Sequence, residues 1–153
     1  MNYSPAYITS LCSNEVFVFG SNEAGRHSAG AAKTACDKFG ATYGQGFGLQ
    51  GKSFAIPTKD LDIKTLPLNK IKLYVDEFLI FATERPDLVF LVTPVGTGLA
   101  GLSAKDIAPL FKRALDIKNI VLPEIFALAL TKPSRAKTYM RYDLREDYKQ
   151  DNN

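Results

Sequence analysis

Three glycine-rich segments of the chain have the composition of loops that bind anions. They span residues 20–30, 44–51 and 96–101, and the last two contain the spacing GxGxxG. Glycine has no side chain and adopts positive φ angles, so successive backbone N–H groups can close around a phosphate. One such motif is more often a tight turn than a ligand site. Three of them within 153 residues favour a ligand that contains a diphosphate.

The segment 96–101 has the surroundings that a phosphate-binding loop requires. It follows an apolar run, residues 88–92, and precedes a predicted helix whose N-terminus would strengthen the attraction for an anion. Residues 46–51 match the same spacing, but a predicted strand follows them. We therefore expect the stronger site at 96–101.

Two common nucleotide-binding motifs do not fit this segment. A Rossmann site needs its loop in the first βαβ unit and an acid about 20 residues further on. Here the loop lies near residue 100, and Glu124, behind a proline, is the only acid close to the required place. A Walker site needs a lysine where Leu102 and Ser103 stand. The sequence thus argues against a nicotinamide dehydrogenase and against a Walker-type nucleotide site.

Strand and helix signals alternate around these segments. Apolar, β-branched or aromatic runs predict strands at residues 15–19, 53–56, 88–92 and 119–123, and Pro57 is expected to end the second strand. Apolar or small residues at helical spacing predict helices at residues 29–39, between Pro67 and Pro86, and from 104 to about 116. Residues 126–130 fit either a helix or a strand.

Residues that start or end helices define the bounds of the third predicted helix and of the first. Ser103 and Asp106 form a capping box, while Pro109 either begins a separate part of the helix or kinks it. Gly40 stands at the C′ position that ends the first helix.

This alternation predicts one α/β domain, residues 1–153, with a layered sheet and helices on both of its faces. Ligands bind such sheets at the C-terminal ends of strands, and two of the three glycine segments leave strands in that way. The last residues, 132–153, form a basic, tyrosine-bearing segment that we expect to be solvated and mobile.

Composition excludes several classes of protein. Hydrophobic residues make up 46% and charged residues 23%, as in globular domains, and the net charge of +3 is too small to indicate a nucleic-acid or membrane binder.

The chain has no zinc-ligand spacing and no disulfide framework, because its only candidates are Cys12, Cys36 and the single histidine, His27. No metal or cofactor is therefore expected. Residues 1–10 do not resemble a secretory signal and no run is long enough to span a membrane, which favours the cytoplasm.

Three motifs, in order, resemble those of macrodomains. The first is the strand VFVFGSN at residues 16–22 with AGAA at 29–32, the second is IPTK at 56–59, and the third is PVGTGLAG at 94–101. The second motif is most similar to the branch that contains terminal ADP-ribose glycohydrolase and the DarG antitoxin. The resemblance covers residues 14–122 and implies a three-layer α/β/α fold that binds ADP-ribose or an ADP-ribosylated macromolecule.

The resemblance also assigns ligand contacts by position. The backbone of 96–101 would hold the diphosphate, the backbone of 29–31 would support it, and Asn22 would hydrogen-bond the distal ribose. Without the family, an asparagine at this place is read as a turn residue that bonds its own backbone. The residues implied to bind the ligand are Gly20, Ser21, Asn22, Ala29, Gly30, Ala31, Thr58, Gly96, Thr97, Gly98, Leu99, Ala100 and Gly101.

Lys59 and Asn22 are the catalytic candidates that the resemblance implies. An amine at Lys59 would act on the opened ribose or by electrostatic help, although most such lysines are only solvated. The chain departs from the pattern of the family it resembles at Ala100 and Ala32, where two kinds of hydrolase carry an acid, and Asp60 and Asp62 are the possible substitutes.

Three hypotheses on function therefore stay open. The domain hydrolyses ADP-ribose from protein or nucleic acid, it reads or sequesters ADP-ribose-derived nucleotides without chemistry, or it binds nucleic acid through the glycine loops and the basic end. We expect His27 to be an ordinary surface group rather than a base.

Overall fold

The computed structural model describes residues 2–131, so the predicted solvated segment 132–153 lies outside the described residues. Within the described part the strands are β1 (Glu15–Asn22), β2 (Gly48–Gln50), β3 (Ser53–Lys59), β4 (Val89–Val92) and β5 (Ile120–Val121). The α-helices are α1 (Gly30–Lys38), α2 (Leu68–Thr83), α3 (Ala104–Ile107) and α4 (Glu124–Leu130), and a 3₁₀ helix covers Ala108–Asp116. None of these helices is long and apolar enough to cross a membrane.

One mixed sheet, in the order β2-β3-β1-β4-β5, forms the centre of an α/β fold. β1 is parallel to β3 on one side and to β4 on the other, β5 is parallel to β4, and β2 is antiparallel to β3. From the end of β1 the chain crosses through α1 toward β3, whereas from the end of β4 it continues toward β5. The connections thus leave these two neighbouring strands in opposite directions, which opens a crevice at their carboxyl ends.

Successive side chains of β1 contribute to two cores on opposite faces of the sheet. Phe17 and Phe19 pack with the buried side chains of α1 and with Phe39. Val16 and Val18 join the larger core, to which α2, the 3₁₀ helix and α4 contribute. Helices therefore cover both faces of the sheet. The five buried residues of α2 are those whose helical spacing predicts the helix, namely Ile71, Val75, Phe78, Leu79 and Ala82.

Two strands are longer than the sequence predicts. β1 continues past Phe19 to Asn22, and β3 runs through Pro57 to Lys59, so the prediction that Pro57 ends the strand is wrong. Proline donates no ladder hydrogen bond, but the pairing of β2 reaches only as far as Ala55, which leaves that side of Pro57 without a neighbouring strand. The extension places Asn22 and Lys59 opposite each other at the carboxyl edge of the sheet.

The remaining differences concern short elements. Strand β2 does not follow from the sequence pattern, because a glycine-rich segment lacks the residues typical of strands. The capping box of Ser103 and Asp106 is confirmed, and it starts the separate short helix α3, after which Pro109 stands in the first turn of the 3₁₀ helix. Gly40 has the positive φ of a C′ glycine, 75°, and the ambiguous residues 126–130 belong to α4.

Phe54 is the residue whose loss should damage the fold most clearly. Its side chain is 1% exposed, and its ring lies within 6.4 Å, between centroids, of the rings of Phe47, Phe78, Phe81 and Phe90. Phe54→Ala should lower the free energy of unfolding by about 3–5 kcal/mol, because it removes buried area and leaves a cavity. Urea unfolding followed by circular dichroism measures the change.

Leu73→Ala is the matched control for this prediction. Leu73 is 61% exposed on α2, so its truncation should change the free energy of unfolding by less than about 0.5 kcal/mol. An equal loss in the two variants would contradict the assignment of the core.

Candidate functional site

A cavity of about 610 Å³ opens at the carboxyl ends of β1, β3 and β4. Its volume lies within the range of small-molecule sites, about 300–1,000 Å³. The cavity is lined by parts of three segments, residues 20–32, 58–63 and 93–100. With the exception of Gly101, every residue that the sequence predicts to bind the ligand or to act in catalysis lines the cavity. The N–H of Gly101 donates to the carbonyl of Gly98 at 2.9 Å within the loop. These lining residues are Gly20, Ser21, Asn22, Ala29, Gly30, Ala31, Thr58, Lys59, Gly96, Thr97, Gly98, Leu99 and Ala100.

The loop after β4 leaves several backbone donors without a partner among the described residues. Gly96 has a φ of 80°, and a Cβ there would lie 3.2 Å from carbons of Ile107, so this turn requires glycine. Thr97 donates to the carbonyl of Pro94 through both its N–H and its hydroxyl, at 3.2 and 2.7 Å. In residues 2–131 no acceptor is found for the N–H groups of residues 98–100. Three consecutive donors are thus available to a ligand.

The N-terminus of α1 faces the same cavity. Ala29, the residue before the helix, provides no side-chain hydrogen bond to cap it, and the first turn carries no acidic residue. The N–H groups of a helix's first turn have no partner inside the helix and bear a partial positive charge. Because residues 28–32 line the cavity, this charge adds to the donors of the loop after β4.

Asn22 holds the first loop in place. Its Nδ2 donates to the carbonyl of Arg26 at 3.0 Å, and its Oδ1 accepts the N–H of Arg26 at 2.9 Å. Both ends of the amide are therefore engaged by the backbone of its own loop, which is the turn role expected of asparagine without any family. The side chain is 8% exposed and lines the cavity, so its contact with a ribose stays a prediction.

The described residues give the lining of the cavity a positive charge. Arg26 and Lys59 are the charged residues among the described residues that line the cavity, and no aspartate or glutamate lines it. Neither side chain has an ion pair or a hydrogen bond within residues 2–131. Two cations without an opposing carboxylate favour an anionic ligand. Sequence reasoning missed Arg26, although an arginine directly after Gly25 in a glycine loop is a usable signal.

A tight hairpin, residues 59–65, forms the wall beside Lys59. The N–H of Asp60 donates to the carbonyl of Lys64 at 2.7 Å, and the Asp60 carboxylate accepts the N–H groups of Asp62 and Lys64 at 2.8 and 3.0 Å. Neither aspartate lines the cavity, so the two substitutes that the sequence offers for a missing acid lie outside it. Ile63 does line it, with a φ of 64° that in a β-branched residue costs about 1–3 kcal/mol.

The prediction that His27 is an ordinary surface group is wrong. Its side chain is 3% exposed, its Nε2 lies 2.9 Å from the carbonyl of Gln45 and 3.2 Å from Oε1 of Gln50, and its ring meets Phe19 edge-on at 5.2 Å. Both neighbours of Nε2 are acceptors, so we assign the proton to Nε2. The loop after β1 folds back over the sheet and buries the ring. His27 does not line the cavity.

The second glycine segment supports the first and does not line the cavity. A Cβ on Gly46 would lie 2.5 Å from the carbonyl oxygen of Asn22, and a Cβ on Gly25 would lie 2.3 Å from the backbone of Gly44. Ser21 donates its hydroxyl to the carbonyl of Gly46. The glycines of residues 44–51 thus permit a close backbone approach beneath the first loop.

Glu23 links the end of β1 to β3 and α2. Its N–H donates to the carbonyl of Lys59 at 2.9 Å, and its carboxylate accepts the hydroxyl of Tyr74 and lies 3.9 Å from Nζ of Lys70. Burial, together with the hydrogen bond to Glu23 and the charge of Glu23, raises the pKa of Tyr74 to about 12. This contact fixes the backbone from which Lys59 projects.

Scans of the chain against protein-family models, curated proteins and solved structures gave no match. The function therefore has to be argued from the residues and the geometry of the cavity.

Tyr74→Phe tests the link to Glu23 through pH. The raised pKa means that the folded state keeps a phenol proton between about pH 10 and 12 that the unfolded state has released, so this part of the stability is lost as pH rises through that window. We expect Tyr74→Phe to cost about 1–2 kcal/mol near pH 8 and to show a shallower loss of stability above about pH 10 than the parent protein. Urea unfolding at several pH values measures both effects.

Tyr43→Phe is the control, because the Tyr43 side chain is 62% exposed and removal of its hydroxyl should leave both quantities unchanged. Stability curves of Tyr74→Phe and the parent protein that stay parallel up to pH 12 would contradict the role assigned to this hydrogen bond.

Proposed function

We propose that the cavity binds ADP-ribose, or an ADP-ribosyl group on a protein or nucleic acid, and that the chain is a macrodomain-like α/β/α domain of the cytoplasm. The observation that carries the proposal is the cavity itself. At one edge of the sheet it combines a helix N-terminus with backbone donors and two cations that have no partner within residues 2–131. A diphosphate satisfies all three.

The placement of the ligand follows from these groups. Its diphosphate would lie against residues 98–100 and the start of α1, where the donors and the helix dipole act together. Asn22 and Lys59 are neighbours in the register of β1 and β3 and both line the cavity, so a ribose attached to the diphosphate would lie beside them. This is the arrangement that the resemblance to macrodomains implies.

Hydrolysis in this cavity would depend on Lys59. Its ammonium group has no partner in the described part of the chain. The amine form is a nucleophile for an opened ribose aldehyde, while the charged form stabilises negative charge on a leaving group. Ala32 and Ala100 line the cavity at the two positions where the resemblance would place an acid. We infer that a reaction here proceeds without a carboxylate base from the lining.

A second candidate function, a reader that binds without chemistry, is favoured by one observation. Among residues 2–131 no carboxylate lines the cavity, and Asp60 and Asp62 lie outside it. A site that lacks a general base still binds its ligand through backbone donors and cations. The nucleic-acid hypothesis rests in part on residues 132–153, which lie outside the described residues, and nucleic acid enters here as a modified substrate.

Titration calorimetry with ADP-ribose tests the binding proposal. We expect the parent protein to bind, and Gly98→Glu to lose roughly tenfold in affinity or more, because a carboxylate would face the diphosphate. A Cβ on Gly98 meets no atom within 4 Å, so this variant should fold as the parent does. Arg26→Ala should weaken binding, whereas Lys64→Ala, a lysine outside the lining, is the charge-matched control.

No heat of binding at millimolar ADP-ribose would overturn the proposal. So would equal losses in Arg26→Ala and Lys64→Ala, because a general decrease in net charge would then explain both.

Release of ADP-ribose from modified DNA or protein tests the hydrolase hypothesis. Lys59→Ala should abolish release while leaving the thermal midpoint within a few degrees of the parent, because its side chain has no described partner to lose. An unchanged rate would remove Lys59 from the mechanism. Tight binding without any release by the parent protein would select the reader.

A further inference from the structure

Ile63 occupies a position of its hairpin that normally takes glycine. Its N–H donates to the carbonyl of Asp60 at 3.1 Å, and the N–H of Asp60 donates to the carbonyl of Lys64. In a three-residue hairpin loop of this kind the last residue is left-handed, and glycine takes that conformation without strain. Ile63, at a φ of 64°, is the non-glycine residue with positive φ in the part of the chain that the structure describes.

Packing among residues 2–131 does not account for an isoleucine here. Ile63 belongs to neither of the two core clusters and is not among the half-buried apolar residues packed against them. Ile63 is instead one of the residues that line the cavity. The turn requires the left-handed backbone but not a β-branched residue, and strain of this kind is typical of ligand sites.

The hairpin is also attached to the loop that provides the donors. The hydroxyl of Thr65 donates to the carbonyl of Ala100 at 2.8 Å, which fixes the hairpin relative to residues 98–100. From that loop Leu99, 73% exposed, also lines the cavity. Two aliphatic residues, Ile63 and Leu99, therefore line the cavity beside the backbone donors and the cations that suit phosphates. The segments that carry them are joined by the hydrogen bond from Thr65.

We propose that Ile63 is a specificity-determining residue that contacts the ribose ring next to the phosphates of the ligand. The strain of its backbone holds an aliphatic side chain toward the cavity, where it selects a nucleotide-like ligand over a bare phosphate or pyrophosphate. This inference rests on the proposed function, because it concerns the same cavity and the same ligand.

Ile63→Asn tests the inference, since asparagine adopts the left-handed conformation more readily than a β-branched residue. We expect it to bind ADP-ribose about tenfold more weakly by calorimetry, a loss typical of one buried aliphatic contact, and to bind inorganic pyrophosphate as the parent does. Without ligand its thermal midpoint should rise by about 2–4 °C, because the strain is relieved. Ile63→Gly, which has no side chain to replace the contact, should show the same loss of affinity for ADP-ribose.

Leu61→Asn is the matched control. Leu61 is an aliphatic residue of the same turn, 65% exposed and outside the lining, so its replacement should change neither affinity. If the parent binds ADP-ribose and Ile63→Asn binds it equally well, this inference fails while the proposed function stands. A parent protein that does not bind ADP-ribose overturns both. A thermal midpoint of Ile63→Asn below that of the parent overturns the inference whatever the ligand, because packing would then account for Ile63.

Discussion

The parallel pairing of β1 with both β3 and β4 is the constraint on which the site depends. It places the carboxyl ends of three strands at one edge of the sheet, and the chain leaves β1 and β4 in opposite directions. Residues far apart in sequence, such as Asn22, Lys59 and Gly98, meet there for that reason alone. The two cores on either face of β1 hold the strand in register, because a shift by one residue would exchange the side chains of the two faces.

The glycine-rich segments have two different structural roles. Residues 96–101 and the end of residues 20–30 expose backbone groups to the cavity, whereas residues 44–51 let one backbone pass close beneath another. Composition does not separate these roles, because the same absence of a Cβ serves a ligand and a neighbouring chain equally. Position relative to the strands does separate them: the two segments that line the cavity follow β1 and β4 directly.

Most of the fold follows from local patterns. The apolar spacing of α2, the capping box at Ser103 and the left-handed Gly40 are properties of short stretches of sequence, and the structure agrees with each of them. The passage of β3 through Pro57 is not such a property, because it depends on how far a different strand extends. The burial of His27 and the exposure of Arg26 toward the cavity depend likewise on where the loop after β1 folds. The left-handed conformation of Ile63 could not be predicted for a further reason, because β-branched residues rarely adopt positive φ.

A site made chiefly of main-chain N–H groups has a consequence for how such a protein changes over generations. Donors supplied by residues 98–100 and by the first turn of α1 do not depend on which side chains stand there, provided that the loop keeps its path. Under the proposed function, substitutions that preserve this path would leave binding intact, so proteins with such a cleft could differ widely in sequence.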